Sequence, residues 1–198
     1  MAVSKFQPVE KIIEALQNGQ SVFGENYVQE LLEKKEELER RGISGFEFHF
    51  IGKLQTNKVK ALLPHVRVIH SVDSVRLLKE IEKRAEEFGL HPEVFFQVNI
   101  DEELTKSGFL PKDLAELGEV AHSARQVIPK GLMAIPNPER DPADAFRRMQ
   151  SLSEQHGSLL GRGLSMGMSS DYREAIQYGS TWIRIGSAIF GERPEKRS

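Results

Sequence analysis

The chain reads as an α/β protein, a single-domain (β/α)8 barrel of the TIM type over residues 1–198. Three observations predict this. Short β-branched or aromatic segments, most bounded by Gly, Pro, Asp or Ser, alternate with amphipathic helical patterns from end to end. The short segments number eight, the count that closes a barrel instead of leaving an open sheet. No internal repeat, low-complexity linker or compositional break divides the chain.

The first strand is 2–5 (AVSK), and Val9, Ile12, Ile13 and Leu16 after it take the spacing of one buried helix face. The second is 21–25 (SVFGE), followed by a helix whose inner residues are Val28, Leu31, Leu32 and Leu38. The mixed-sign run 33–41 on that helix reads as a solvated face. The third strand is 46–52 (FEFHFIG), with a short helix on Val59, Leu62, Leu63 and Val66. The fourth is 67–73 (RVIHSVD), after which Asp73 or Ser74 can cap a helix buried through Leu77, Leu78, Ile81, Ala85 and Phe88. The fifth is 94–100 (VFFQVNI), followed by Leu114, Leu117, Val120 and Ala121 on one helix face. The sixth is 131–135 (GLMAI). Asp141 and Pro142 then read as N-cap and first-turn proline of a helix carrying Ala145, Phe146, Met149 and Leu152. The seventh is 163–167 (GLSMG) and the eighth 182–186 (WIRIG). Such barrels typically run to about 250 residues, so this one has short loops and no inserted domain.

Composition narrows the function classes. The chain has no cysteine, which removes disulfides, thiolate nucleophiles and thiolate metal sites together. Its net charge of -2 gives no electrostatic pull toward nucleic acid. No apolar run reaches the ~20 residues of a membrane span, and the first residues, MAVSKFQPVEK, lack the apolar core of a signal peptide. A cytoplasmic location is the expectation.

In a barrel of this kind, chemistry sits at the C-terminal ends of the strands and in the loops that follow. Those positions hold Lys5, Asn26, His49, Ser71, Asn99, Met166, Ser169, Arg184, Gly186 and Ser187. A rim lysine is either a solvated amine or, among apolar neighbours, one able to form a Schiff base with a carbonyl. Ser169 and Ser170 stand where a helix would begin, and Gly186-Ser187-Ala188 opens a second turn after the eighth strand. Serine capping accounts for either loop alone; the two side by side point to a phosphate site. Ile183 and Ile185 suit the helix-facing side of their strand, which sends Arg184 inward to meet either Glu47 or a ligand atom. His49 is a general base or a hydrogen-bonded core histidine. The histidine spacing gives no metal motif, so no metal is expected.

The segments AVSK, FGENYVQEL, HFIGKLQTNKVK, IHSVDS, LSMGMSSD and RIGSAIFG resemble the pyridoxal phosphate homeostasis proteins, also called proline synthetase co-transcribed proteins, over Ala2 to Arg193. The resemblance implies a barrel like the N-terminal domain of alanine racemase, without that enzyme's second domain. It implies that Lys5 holds pyridoxal 5'-phosphate as a Schiff base, with Asn26 beside the ring. Ser169, Gly186 and Ser187 would take the phosphate, and Arg184 would approach the pyridine nitrogen. The implied role is to buffer or deliver the cofactor, with cofactor-dependent apoenzymes as partners and a monomeric state, rather than catalysis. Members of the family carry a leading helix before the first strand, and Met1 here already stands inside that strand. An amino-acid racemase or related Schiff-base enzyme is the alternative, and Tyr27 is the tyrosine nearest the rim. A barrel binding another phosphorylated sugar or amine is a third reading.

Overall fold

A computed structural model describes residues 1–191; Glu192 and Arg193, the end of the motif span, lie outside the described residues. Seven parallel strands follow one another in chain order across a single sheet. They are β1 (Ala2–Val3), β2 (Val22–Glu25), β3 (Glu47–Phe50), β4 (Val68–Val72), β5 (Glu93–Gln97), β6 (Ile128–Met133) and β7 (Gly163–Ser165). The helices are α1 (Val9–Gln17), α2 (Val28–Arg40), α3 (Val59–Leu62), α4 (Val75–Phe88), α5 (Leu114–Ser123), α6 (Pro142–Leu160), α7 (Tyr172–Gln177) and α8 (Ser187–Phe190). Parallel neighbours need a crossover, and helices supply most of them. Ser74, not Asp73, caps α4 by accepting from Leu77 N, and Asp141 caps α6 by accepting from Ala143 N with Pro142 in the first turn.

The expected eighth strand departs from the sequence reading. Residues 182–185 form no ladder among the described residues; they make single parallel bridges, Trp182 to Ser165 and Ile185 to Ala2. Val3 N donates to Ile185 O at 2.7 Å and Met166 N to Trp182 O at 3.1 Å, so the segment is bonded on both flanks. The physical reason for its brevity is that β1 and β7 offer only two and three residues to pair with. The sixth strand also starts earlier than expected, at Ile128.

Strand alternation sorts the side chains into two layers. Phe48, Phe50, Ile69, Val94, Phe96, Leu132 and Leu164 face the helices and join Leu31, Leu38, Leu77, Ile81, Phe146 and Met149 in the main core. The opposite face carries a small apolar group, Val68, Phe95 and Met133 with Trp182 packed on it. On the same inner face stand polar residues: Glu47 and His49 on β3, His70 on β4 and Ser165 on β7. No helix of the described residues is long and apolar enough to cross a membrane.

Candidate functional site

A cavity of about 380 Å³ opens at the C-terminal ends of the strands, within the range of about 300–1,000 Å³ usual for small-molecule sites. Lys5, Asn26, Ser169, Arg184, Gly186 and Ser187 all line it, with Val3, Gln7, Ile51, Ile135 and Met168 among their neighbours. The other rim candidates fall elsewhere. Asn99 lines an adjoining cavity that shares Asn26, Ile51 and Ile135. His49 is buried on the inner face below, and Ser71 donates to Gly52 O at 2.5 Å.

Lys5 leaves β1 in a sharp turn, because Phe6 takes a φ of 64°, in the left-handed region that a bulky residue rarely adopts. Hydrogen bonds hold that turn on both sides of Lys5. The Phe6 N–H donates to Glu30 Oε1, and the Ser4 carbonyl accepts from Lys34 Nζ at 2.6 Å. Lys34 Nζ also meets Glu25 Oε1 and Glu30 Oε1, each at 2.7 Å, while Ser4 Oγ donates to Glu25 Oε1 at 2.7 Å. Lys34 is 6 % exposed although it lies in the charged run 33–41. That run is therefore not wholly a solvated face. Lys34 stands three residues after Leu31 and four before Leu38, both fully buried, and this helical register is the signal that could have revealed it. Burial pushes the Glu25 carboxyl above its usual range, and the Lys34 ammonium pulls it back.

Asn26 is set by close backbone approach. A Cβ at Gly52 would lie 2.0 Å from the Asn26 carbonyl oxygen, so only glycine lets the loops after β2 and β3 meet. The Asn26 Oδ1 is buried without a hydrogen-bond partner. A buried orphan acceptor at a cavity wall calls for a donor from whatever fills the cavity.

Two loops form the opposite wall. Asp171, not a serine, is the N-cap residue of α7, so Ser169 and Ser170 are not spent on capping. Among the described residues the backbone N–H groups of Ser169, Ser170 and Gly186 have no recorded acceptor. Gly186 has a negative φ, and a Cβ there would make only ordinary contact with Val3. Packing does not demand glycine at this position; it leaves space toward the cavity.

Arg184 is buried on the inner face. Its Nη1 donates to Ser165 O at 2.7 Å and Ser165 Oγ at 2.9 Å, and its Nη2 to Ala134 O at 2.9 Å. The Glu47 pairing weighed from the sequence does not form, because Glu47 Oε1 meets His49 Nε2 at 3.0 Å instead. Of the five guanidinium N–H groups, two have no recorded acceptor among the described residues. Burial brings the Arg184 pKa down to about 10, with Asp171 acting against it, so the group stays cationic at neutral pH. The site thus offers an amine, an orphan amide oxygen, unspent backbone donors and a fixed cation around one space.

A family model described as "Alanine racemase, N-terminal domain" matches residues 1–194. A pyridoxal phosphate homeostasis protein of Pasteurella multocida is 41% identical over 200 residues, covering 98% of this chain and 85% of that protein. Among solved structures, PipY of Synechococcus elongatus with PLP bound superposes with a TM-score of 0.86 at 37% identity, covering 96% of this chain and 91% of that one. An alanine racemase of Clostridium difficile superposes with a TM-score of 0.73 at 14% identity, over 98% of this chain and 52% of that enzyme, a likeness of fold alone. This chain belongs to the alanine racemase N-terminal domain family and, within it, to the pyridoxal phosphate homeostasis proteins.

Proposed function

We propose that the chain binds pyridoxal 5'-phosphate in the rim cavity and serves to hold and hand on the cofactor. The observation that carries this reading is the convergence of six residues, Lys5, Asn26, Ser169, Arg184, Gly186 and Ser187, on one space. Each matches a different part of the cofactor's chemistry. The cofactor supplies an aldehyde that condenses with an amine and releases water, a ring nitrogen and a phosphate. The Lys5 amine, held in place by the bonded turn around it, is the group for the aldehyde. The unspent N–H groups of Ser169, Ser170 and Gly186, with the hydroxyls of Ser169 and Ser187, suit an anion. The Asn26 Oδ1 would accept a hydrogen bond, and the two unspent N–H groups of Arg184 can donate to the ring nitrogen. PipY, which carries PLP, and the names of the relatives support the assignment.

Arg184 also argues for storage over catalysis. A permanent cation beside the ring nitrogen disfavours its protonation, and an unprotonated ring withdraws electrons weakly. The reading takes the protein as non-catalytic, with a single cytosolic domain in which 182–185 closes an eight-stranded barrel. The bridges on both flanks of that segment support closure.

Borohydride reduction of protein with added pyridoxal 5'-phosphate, followed by peptide mass spectrometry, tests the proposal. The expected result is a pyridoxyl adduct confined to Lys5, absent in Lys5→Ala, with residual cofactor binding in that variant through the phosphate wall. A folded wild-type protein without the adduct overturns it. Formation of D-alanine from L-alanine, abolished by Lys5→Ala, would overturn the non-catalytic part.

A further inference from the structure

Beneath the cavity, the inner face carries a continuous polar chain that the cofactor reading leaves unused. Glu47 Oε1 lies 3.0 Å from His49 Nε2, and His49 Nδ1 lies 3.0 Å from His70 Nε2. His70 Nδ1 lies 2.8 Å from Ser165 Oγ, which accepts from Arg184 Nη1 at 2.9 Å. His49, His70, Ser165 and Arg184 are all buried, whereas the Glu47 side chain is 39% exposed. Glu47 lines a second cavity at the N-terminal ends of the strands. The chain therefore runs through the inner face from one mouth to the other.

The bonding rules give the chain a direction. A carboxylate only accepts, so His49 must donate from Nε2, and its Nδ1 is then an acceptor. That acceptor needs a donor at His70 Nε2, which leaves His70 Nδ1 to accept. Ser165 Oγ, already accepting from Arg184, donates its hydrogen to His70 Nδ1. Every link is satisfied with both rings neutral, and burial favours the neutral form of both. Packing holds the rings in place, since His70 stacks on Phe95 at 4.6 Å with an interplanar angle of 6°, and Trp182 lies edge-on to His49 at 4.8 Å.

We propose that His49, His70 and Ser165, oriented from Glu47, are positioning residues that fix the donor geometry of Arg184 toward the bound cofactor. The reversed chain would turn an unprotonated His49 Nε2 on the Glu47 carboxylate, so the carboxylate selects one direction. With its hydrogen committed to His70, the Ser165 hydroxyl presents a lone pair to Arg184 and holds the guanidinium plane. This proposal rests on the cofactor reading, but the chain's direction is measurable without the cofactor.

Two measurements test it. Long-range ¹H–¹⁵N spectra of the cofactor-free protein should show both His49 and His70 as neutral Nε2–H tautomers at pH 7. Glu47→Gln, which removes the charge but touches nothing in the rim cavity, should mix the tautomers of both rings and shift the absorption band of bound pyridoxal 5'-phosphate. His70→Phe should raise the cofactor's Kd by about threefold to tenfold, as expected for a hydrogen bond lost one residue away from the contact. In a Ser165→Ala background, Glu47→Gln should no longer move the band. An Nδ1–H tautomer at His70 overturns the chain's direction. An unmoved band in Glu47→Gln with the Lys5 adduct intact overturns its coupling to the site, and this holds even if His70→Phe fails to fold. A missing Lys5 adduct in the wild type overturns the cofactor reading alone, and the tautomers still decide the chain.

Discussion

Two buried polar networks support the same cavity and work by opposite physics. Under Lys5, Glu25, Glu30 and Lys34 form a compact ionic cluster that grips the backbone on both sides of one residue. Under Arg184, Glu47, His49, His70 and Ser165 form a long chain whose buried histidines are neutral. The first holds a strained turn in place by charge, and the second sets a direction by tautomer. Burial raises the Glu25 pKa and lowers those of His49 and His70, so the two networks respond to pH with opposite sign. A carboxyl with a raised folded pKa stabilises most below its unfolded value and loses that contribution as pH rises. An imidazole with a lowered folded pKa stabilises above its unfolded value and loses that contribution as pH falls.

The largest effect should come from breaking the ionic side. Lys34→Met leaves Glu25 and Glu30 without their cation, and stranding a buried charge costs about 3–5 kcal/mol. Glu25 can escape by taking up a proton, so its folded pKa rises further above the usual carboxylate value in the variant. The loss should therefore be greatest near pH 8 and shrink toward pH 5, which urea denaturation at both pH values will show. Adding Glu25→Gln to Lys34→Met should recover part of the stability and flatten that dependence.

Cutting the neutral side at its midpoint should cost less. Ser165→Ala removes one of the three recorded acceptors of Arg184 and leaves His70 Nδ1 buried without a donor. An unsatisfied buried polar group costs about 1–3 kcal/mol. The same denaturation measured at pH 7 gives the comparison directly: Ser165→Ala falling as far as Lys34→Met would erase the energetic contrast between the two networks.

How much of this was legible in the sequence divides along the same line. The rim set could be read because barrel topology places strand ends together, and Lys5, Asn26, Ser169, Arg184, Gly186 and Ser187 do line one cavity. The strand alternation around Glu47 and His49 was also visible, but their partners were not. His70 and Ser165 come from β4 and β7, and pairing across a sheet depends on register that a single strand does not carry. Lys34 was hidden for another reason: a lysine in a charged run looks solvated, and only its place between Leu31 and Leu38 marks it as inward. The hydrophobic pattern of 182–186 marks the segment but says nothing of how few residues its neighbours offer for pairing, and among the described residues it bridges them only singly.

A pH titration sharpens the contrast in sign. The groups facing His49 and His70 are Glu47 from β3, Glu93 from β5, the Met1 ammonium beside β1, and Arg184. At His49 desolvation outweighs the two carboxylates, and at His70 desolvation acts together with the neighbouring cations, so both rings resist protonation in the folded state. Stability should fall as pH drops below the unfolded histidine value of 6.5, by up to about 1.4 kcal/mol for each unit of depression. His70→Gln should reduce that slope between pH 6.5 and 5.5, whereas Lys34→Met should oppose it with the Glu25 slope of opposite sign. A His70→Gln protein with the wild-type slope would remove His70 as its source.

The smallest effect on stability belongs to Glu47→Gln. Glu47 is partly solvated, so its contact with His49 contributes little, about 0–1 kcal/mol. The same substitution on the ionic side, Glu25→Gln, changes a fully buried group that holds both Ser4 and Lys34. It should cost more, because hydrogen bonds to charged groups are worth about 1.5–3 kcal/mol each. If Glu47→Gln leaves the unfolding midpoint nearly unchanged yet shifts the histidine tautomers, then the neutral chain carries information rather than stability. If it unfolds the protein as readily as Glu25→Gln, the histidines are held by charge after all, and both networks are clamps of one kind.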